Sequence, residues 1–216
     1  MSIIAVFGAT GRTGLLLIKK ALDAGHTVRA LVRNPQKMSI NHPNLILIEG
    51  SSLDTTKVNE TVKGSDGVIS TLGQDKASPP DLQTRSTQLI INAMKQQRLR
   101  RLVSLTGGGV RDTAHDKPGF MDNAIVFIMK NVAGNGSRNT LFDGINHADL
   151  IRRTDLDWTI VRGPMLTNDP AKGNYQVGYV GTVPGIKLTR ADLAEFMLTE
   201  FEKGQHVHKM PFLTNG

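Results

Sequence analysis

The chain has 216 residues, of which 39% are hydrophobic and 21% charged, with no cysteine and a formal net charge of +7. That length fills one α/β core but not two complete domains, and the missing cysteines exclude disulfides, zinc–thiolate sites and thiol nucleophiles. The basic balance raises nucleic acid as a partner, but the densest cluster, Arg98, Arg100 and Arg101, runs into an apolar strand without interleaved aromatics, so no nucleic-acid partner is expected.

Residues 3–7, Ile-Ile-Ala-Val-Phe, are a continuous apolar run, the pattern of a strand buried on both faces. Gly8 to Gly14 form a turn, and Leu15, Leu16, Leu17, Ile18, Ala21 and Leu22 line a helix that Gly25 closes. Residues 27–32 are a second strand, completing a βαβ unit with a right-handed crossover. The alternation continues with a strand at 45–48, a short helix at 54–62 and a strand at 67–71. A loop holding Pro79 and Pro80 leads into a helix through Met94, then a strand at 102–105. Two helical stretches follow, around 120–132 and 139–153, before a sixth strand at 158–161 that carries Trp158 into the core. This order predicts an α/β fold, a Rossmann-type doubly wound parallel sheet in a single domain over residues 1–216.

Residues 163–188 are rich in Gly and Pro and hold both tyrosines, Tyr175 and Tyr179; they read as a loop-and-hairpin excursion over the site. Thr189 with Asp192 resembles a helix-capping box in which Asp replaces the usual Glu or Gln. Too few apolar residues precede Gly8 for a signal peptide or a membrane span, so a cytoplasmic protein without membrane association is expected. The short carboxyl-terminal region favours a monomer.

Gly8-Ala9-Thr10-Gly11-Arg12-Thr13-Gly14 places glycines three apart, twice, between a strand and a helix. The chain there must turn tightly, approach a pyrophosphate with its backbone, and pack helix on strand. The free amides and positive end of the helix then face the phosphates. Arg12, inside the turn, either reaches phosphate or stays solvated. An enzyme selecting NAD carries an acid at the end of its second strand, to bind the ribose hydroxyls. Here that position reads Val32-Arg33-Asn34-Pro35-Gln36-Lys37, without a carboxylate. Arg33 and Lys37 suit a 2′-phosphate instead, and NADP(H) is the expected cofactor.

The glycine spacing, Leu31-Val32-Arg33, Leu72-Gly73, Asn92-Ala93-Met94-Lys95 and Asp192-Leu193 with Phe196-Met197-Leu198 carry a resemblance over nearly the whole length. The chain resembles the atypical short-chain dehydrogenases/reductases with a bare NAD(P)H-binding (NmrA-like) domain, and among them the biliverdin/flavin reductase group. The resemblance implies that Gly8, Thr10, Gly11, Arg12, Thr13 and Gly14 hold pyrophosphate and that Arg33 holds the 2′-phosphate. It also implies that Ser52 and Leu53 flank adenine, and that Leu72, Gly73 and Thr106 border the nicotinamide. Three departures bear on the substrate rather than the cofactor: Gly107 replaces a serine after Thr106, Met165 replaces a histidine after Pro164, and Ser51 replaces an acid. Pro164 and Met165 sit where open α/β sheets bind ligands, against cofactor or substrate.

The Tyr-x-x-x-Lys pair of many short-chain dehydrogenases is absent: Tyr179 stands four residues after Tyr175, and Val183 four after Tyr179. Ordinary alcohol–ketone chemistry and epimerisation are therefore disfavoured. Hydride transfer to a flavin, a quinone or a linear tetrapyrrole such as biliverdin needs orientation more than a dedicated acid. Gly107, Gly108 and Gly109 either leave room for such a flat ligand or form a turn needing positive φ. His147 and Thr106 are the candidate catalytic groups, the alternative for His147 being a partly buried helix residue. Arg111 and His115 are candidates to meet an anionic substrate. His206 and His208 have no third ligand beside them, and no metal is expected. The sequence thus predicts an NADPH-dependent reductase of a planar acceptor, with a redox sensor that binds NADP(H) without turnover as the competing class.

Overall fold

Ile4, Ala5, Val6 and Phe7 have no solvent-exposed surface in the computed structural model, which describes residues 1–75 and 77–216. A strand so enclosed needs strands on both sides and helices on both faces. β1 (Ile3–Phe7) pairs in parallel with β2 (Thr27–Val32) and with β4 (Gly67–Ser70). β2 continues to β3 (Leu45–Glu49), while β4 continues to β5 (Arg101–Gly107) and β6 (Asp157–Gly163), all in parallel. β10 (Phe212–Thr214) joins β6, and β8 (Gln176–Gly178) runs antiparallel to it at the sheet edge. The order is β3-β2-β1-β4-β5-β6-β10-β8, a doubly wound, mostly parallel sheet in one domain. Its order reverses between β1 and β4, which opens a crevice at the carboxyl ends of the strands.

Two apolar cores cover the sheet. α1 (Arg12–Asp23) and α6 (Arg190–Lys203) close one face with Leu17, Ile18, Leu193 and Met197. α2 (Thr55–Val62), α3 (Leu82–Gln96) and α5 (Gly134–Arg152) close the other with Val58, Ile90, Met94 and Ile151. α4 (Phe120–Asn131) lies on α5. No helix among the described residues is long and apolar enough to cross a membrane. Two cations of the basic cluster are committed within the fold: Arg100 pairs with Asp157 at 3.1 Å and Arg101 with buried Glu200 at 3.0 Å.

The structure corrects three local expectations. Residues 163–188 form no hairpin of their own: β7 (Met165–Thr167) and β9 (Lys187–Thr189) pair in parallel as a separate two-stranded sheet, and β8 between them leaves for the main sheet. α5 begins at Gly134 rather than near residue 139, because Gly-Asn-Gly-Ser-Arg carries no apolar side chain to mark a helical period. The capping box of α6 is half made. Thr189 Oγ1 accepts from Asp192 N at 3.0 Å, but the Asp192 carboxylate accepts from the Thr189 hydroxyl at 2.8 Å rather than from its amide, and Thr189 N donates to Asn215 Oδ1 at 2.7 Å.

Candidate functional site

Each glycine of the turn after β1 has a separate physical reason. Gly8 has φ +78°, and a Cβ there would come 2.7 Å from the carbonyl carbon of Thr71. Only glycine lets this turn lie against the end of β4. A Cβ on Gly14 would overlap the carbonyl oxygens of Gly8 and Ala9, so Gly14 brings α1 close and faces no ligand. Gly11 is exposed at the N-cap of α1 with φ −72° and keeps the outer surface of the turn bare. α1 has no side-chain cap and no acid in its first turn. Its first amides and its dipole are left to an anion.

A cleft of about 850 Å³ runs from this turn across the carboxyl ends of β1, β2 and β4. Arg33 and Lys37 line one end, with Ser51, Ser52 and Leu53 beside them. Leu72, Gly73, Leu105 and Leu166 line the other, and Thr10, Gly11, Arg12 and Thr13 lie between. Of these, Thr10, Gly11, Arg12, Thr13, Arg33, Lys37, Ser52, Leu53, Leu72 and Gly73 are residues the sequence singles out for the cofactor; Gly14 and Thr106, also singled out, do not line the cleft. The end of β2 presents no carboxylate, as the sequence indicates.

Two charged members of the cleft are unforeseen. Asp75, on the loop after β4, meets Arg33 Nη2 at 3.1 Å, with the side chains 52% and 71% exposed. A pair so open to solvent is weak and leaves Arg33 free to engage a ligand. Hydrogen bonds from Ser78 and Arg33 hold the Asp75 carboxyl below its ordinary range. Arg190 lines the cleft from the first turn of α6, where the helix dipole opposes a cation. It donates to Leu166 O at 2.9 Å and Asn168 Oδ1 at 2.8 Å. Burial and the charge of Arg12 lower its pKa. A cation at a helix start was the available signal.

A second cavity, of about 410 Å³, lies at the carboxyl ends of β5 and β6. Gly107, Gly108 and Gly109 line it together with Ile125, Val126 and Met129 of α4 and with Ile186 and Phe212. Its lining is apolar apart from Arg111, which donates to Asp122 O at 2.7 Å, and Asp122 itself. Pro164 and Met165 belong to this cavity and not to the cofactor cleft. Alternation along β7 turns Met165 to the apolar cavity and Leu166 to the cleft, so the two adjoin at this strand. None of the three glycines has positive φ, which removes the strained-turn reading. Gly107 faces open space, whereas a Cβ on Gly108 would come 2.7 Å from the Phe212 ring.

Beside this cavity Arg162 and Asp116 form an ion pair at 2.7 Å with side-chain exposures of 0% and 2%. Asp116 also accepts from Asp112 N at 2.8 Å and Val180 N at 3.0 Å. Burial alone would raise its carboxyl, but Arg162 and these amides outweigh burial and lower it. The pair ties the loop after β5 to the 163–188 segment. Arg162 lies one residue beyond the strand pattern legible in the sequence.

Neither candidate catalytic group lines either of these cavities. His147 is 1% exposed, with Nδ1 2.7 Å from Thr87 Oγ1 and Nε2 3.2 Å from Ser104 Oγ. Burial lowers its pKa to about 4, so it is neutral near pH 7 and sealed from solvent. Thr106 is 4% exposed, and its Oγ1 faces Gly144 of α5 without a hydrogen-bond partner. The strand period explains this: Ser104 and Thr106 face α5 while Leu105 faces the cleft. His115 lines neither cavity; it bonds Asp112 at 3.0 Å and stacks on Tyr179 at 4.7 Å. His206 is held by Glu200, and His208 by the carbonyl of Leu156.

A family model described as NAD(P)H-binding matches residues 8–203, from the first glycine of the turn to the end of α6. A UPF0659 protein of Schizosaccharomyces pombe is 23% identical over 100% of this chain and 91% of its own length. The uncharacterized protein YwnB of Bacillus subtilis is 26% identical over 94% and 93%. Among solved structures, a candidate NADH-flavin reductase of Streptococcus pneumoniae superposes with a TM-score of 0.79 at 20% identity, covering 100% of both chains. The oxidoreductase ylbE of Lactococcus lactis gives 0.80 at 17% identity, over 99% of this chain and 91% of its own. Superpositions this close at identities this low establish the shared fold alone.

Proposed function

The chain belongs to the NAD(P)H-binding family, and from that footing we propose that it is an NADPH-dependent reductase delivering hydride to a flat, conjugated acceptor such as a flavin, quinone or linear tetrapyrrole. The observation that carries this reading is the apolar, glycine-lined cavity that adjoins the cofactor cleft at β7, with only Arg111 and Asp122 as polar side chains. A planar ring fits such a lining, and the anion left after hydride transfer to a ring takes its proton from solvent. A reduced nicotinamide bound in the cleft supplies the hydride. The turn and α1 hold its phosphates, Leu72, Leu105 and Leu166 keep water from its reactive end, and Arg33 with Lys37 receives the 2′-phosphate. Arg111 would pair with an acidic group carried by the acceptor.

The test is NADPH oxidation with FMN, dichlorophenolindophenol and a naphthoquinone as acceptors, repeated with NADH. Turnover is expected, with a preference for NADPH of about tenfold or more. Arg33→Ala should remove on the order of 1.5–3 kcal/mol from NADPH binding and leave NADH nearly unchanged. Equal weakening of both cofactors would remove the 2′-phosphate assignment. Tight NADPH binding with no oxidation by any acceptor would instead support the sensor reading, which the neutral, enclosed His147 also fits.

A further inference from the structure

α4 carries its apolar face outward. At about 100° per residue, Phe120, Met121, Ile125, Phe127, Ile128 and Val132, the last just past the helix end, fall within an arc of roughly 160°. They are 87%, 69%, 45%, 62%, 48% and 67% exposed, and no residue of α4 is buried. The charged side chains of the helix, Asp122 and Lys130, lie outside that arc. An ordinary surface helix has the opposite arrangement. The inward arc, with Ile125, Val126 and Met129, lines the apolar cavity, so Ile125 belongs to both surfaces.

Taking about 200 Å² for a fully exposed large apolar side chain, the outward face presents roughly 750 Å². A monomer usually leaves a largest apolar patch of about 300–600 Å², whereas a standard protein interface covers about 800 Å² on each partner. A bilayer is the other apolar occupant, but helices that lie on membranes flank their apolar face with many lysines and arginines. α4 has one lysine. We propose that the outward face of α4 is the contact between two copies of this chain, paired about a two-fold axis, and that this contact fixes the α4 wall of the acceptor cavity. It stands against the monomer expected from the sequence.

Analytical ultracentrifugation of the full chain over micromolar concentrations tests the contact. The wild type should sediment as a dimer, and Phe127→Glu should raise its dissociation constant about thirtyfold or more, as loss of an aromatic anchor does. Val132→Lys, beyond the helix end, should weaken the dimer too and guards against a helix that fails to form. NADPH affinity, measured by titration, should stay unchanged in both, because α4 lies outside the cofactor cleft. A monomeric wild type, or a dimer that survives both substitutions, would overturn the proposal; a monomer that sediments with anionic phospholipid vesicles would hand the face to a membrane. The link to the cavity rests on the reductase reading. The monomeric variants should show a severalfold higher KM for the acceptor at unchanged KM for NADPH, and an unaltered acceptor KM would remove that link. A chain that dimerises through α4 but oxidises no NADPH would fault the reductase reading and leave the contact standing.

Discussion

Thr87 on α3 and Ser104 on β5 close on the two ring nitrogens of His147, and the stability of the protein should register that enclosure. Burial takes the ring from its ordinary pKa of 6.5 to about 4. Between those values the unfolded chain binds a proton that the folded chain refuses, so stability rises with pH across this window and levels off above it. Acidification from about pH 6.5 to about pH 4 should remove on the order of 3 kcal/mol through this one group. Urea unfolding at stepped pH, compared with His147→Gln, reads the contribution: the variant should lose most of the slope. Parallel pH profiles for the two proteins would mean that the ring titrates normally. The sequence shows His147 on a helix before a strand, but not that both ring nitrogens are matched by hydroxyls from elsewhere in the chain. The same limit hid Asp75 and Arg190, whose partners are far away in sequence. The glycine turn was legible because strand, turn and helix constrain one another within a few residues.

Helices declare themselves by period, while their caps depend on where the rest of the chain goes. α3 is legible from its apolar spacing, yet Asp81 at its N-cap makes no capping hydrogen bond with its side chain. The amides of Gln83 and Thr84 are instead taken by the Asp143 carboxylate from α5, at 2.8 and 2.9 Å. α6 shows a related substitution of roles. Thr189 caps it, while the Asp192 carboxylate accepts from Lys172 N and Gly173 N, both at 3.0 Å, and from Asn215 Nδ2 at 2.8 Å. Burial alone would raise the Asp192 carboxyl, but these donors outweigh it and lower the pKa. The first turn of α6 therefore fastens the 163–188 segment and the residue after β10. Asp192→Ala should destabilise the protein by about 2–3 kcal/mol, since several donors lose a buried charged acceptor. Amide exchange at residues 172 and 173 should quicken out of proportion to the global loss. If those amides exchange no faster than the rest of the chain, the fastening role is wrong.

At the scale of the whole molecule, the strand order brings two cavities to the same end of the sheet, where they adjoin at β7. The six parallel strands β1 to β6 and their doubly wound arrangement follow from alternating strands and helices, and the sequence carries them plainly. The extension through β10 and β8 does not follow, because three-residue strands in a Gly- and Pro-rich stretch hold no period. Yet that extension completes the apolar cavity: Phe212 of β10 is in its lining, and Val180 just beyond β8 is another wall. The neighbouring glycines of β5 separate shape from function. Gly107 faces open space, so Gly107→Leu should fold normally and intrude on the acceptor. Gly108 packs against Phe212 and Gly163, so Gly108→Leu should overpack that contact and lose about 1–3 kcal/mol of stability. For Gly107→Leu the expected result is a KM for flavin raised about tenfold or more by steric exclusion of part of the ring, with the KM for NADPH unchanged. Steady-state kinetics on both variants, beside thermal unfolding, distinguish the two roles. Acceptor kinetics in Gly107→Leu that match the wild type would mean that the acceptor does not occupy this cavity, however well its walls suit a planar ring.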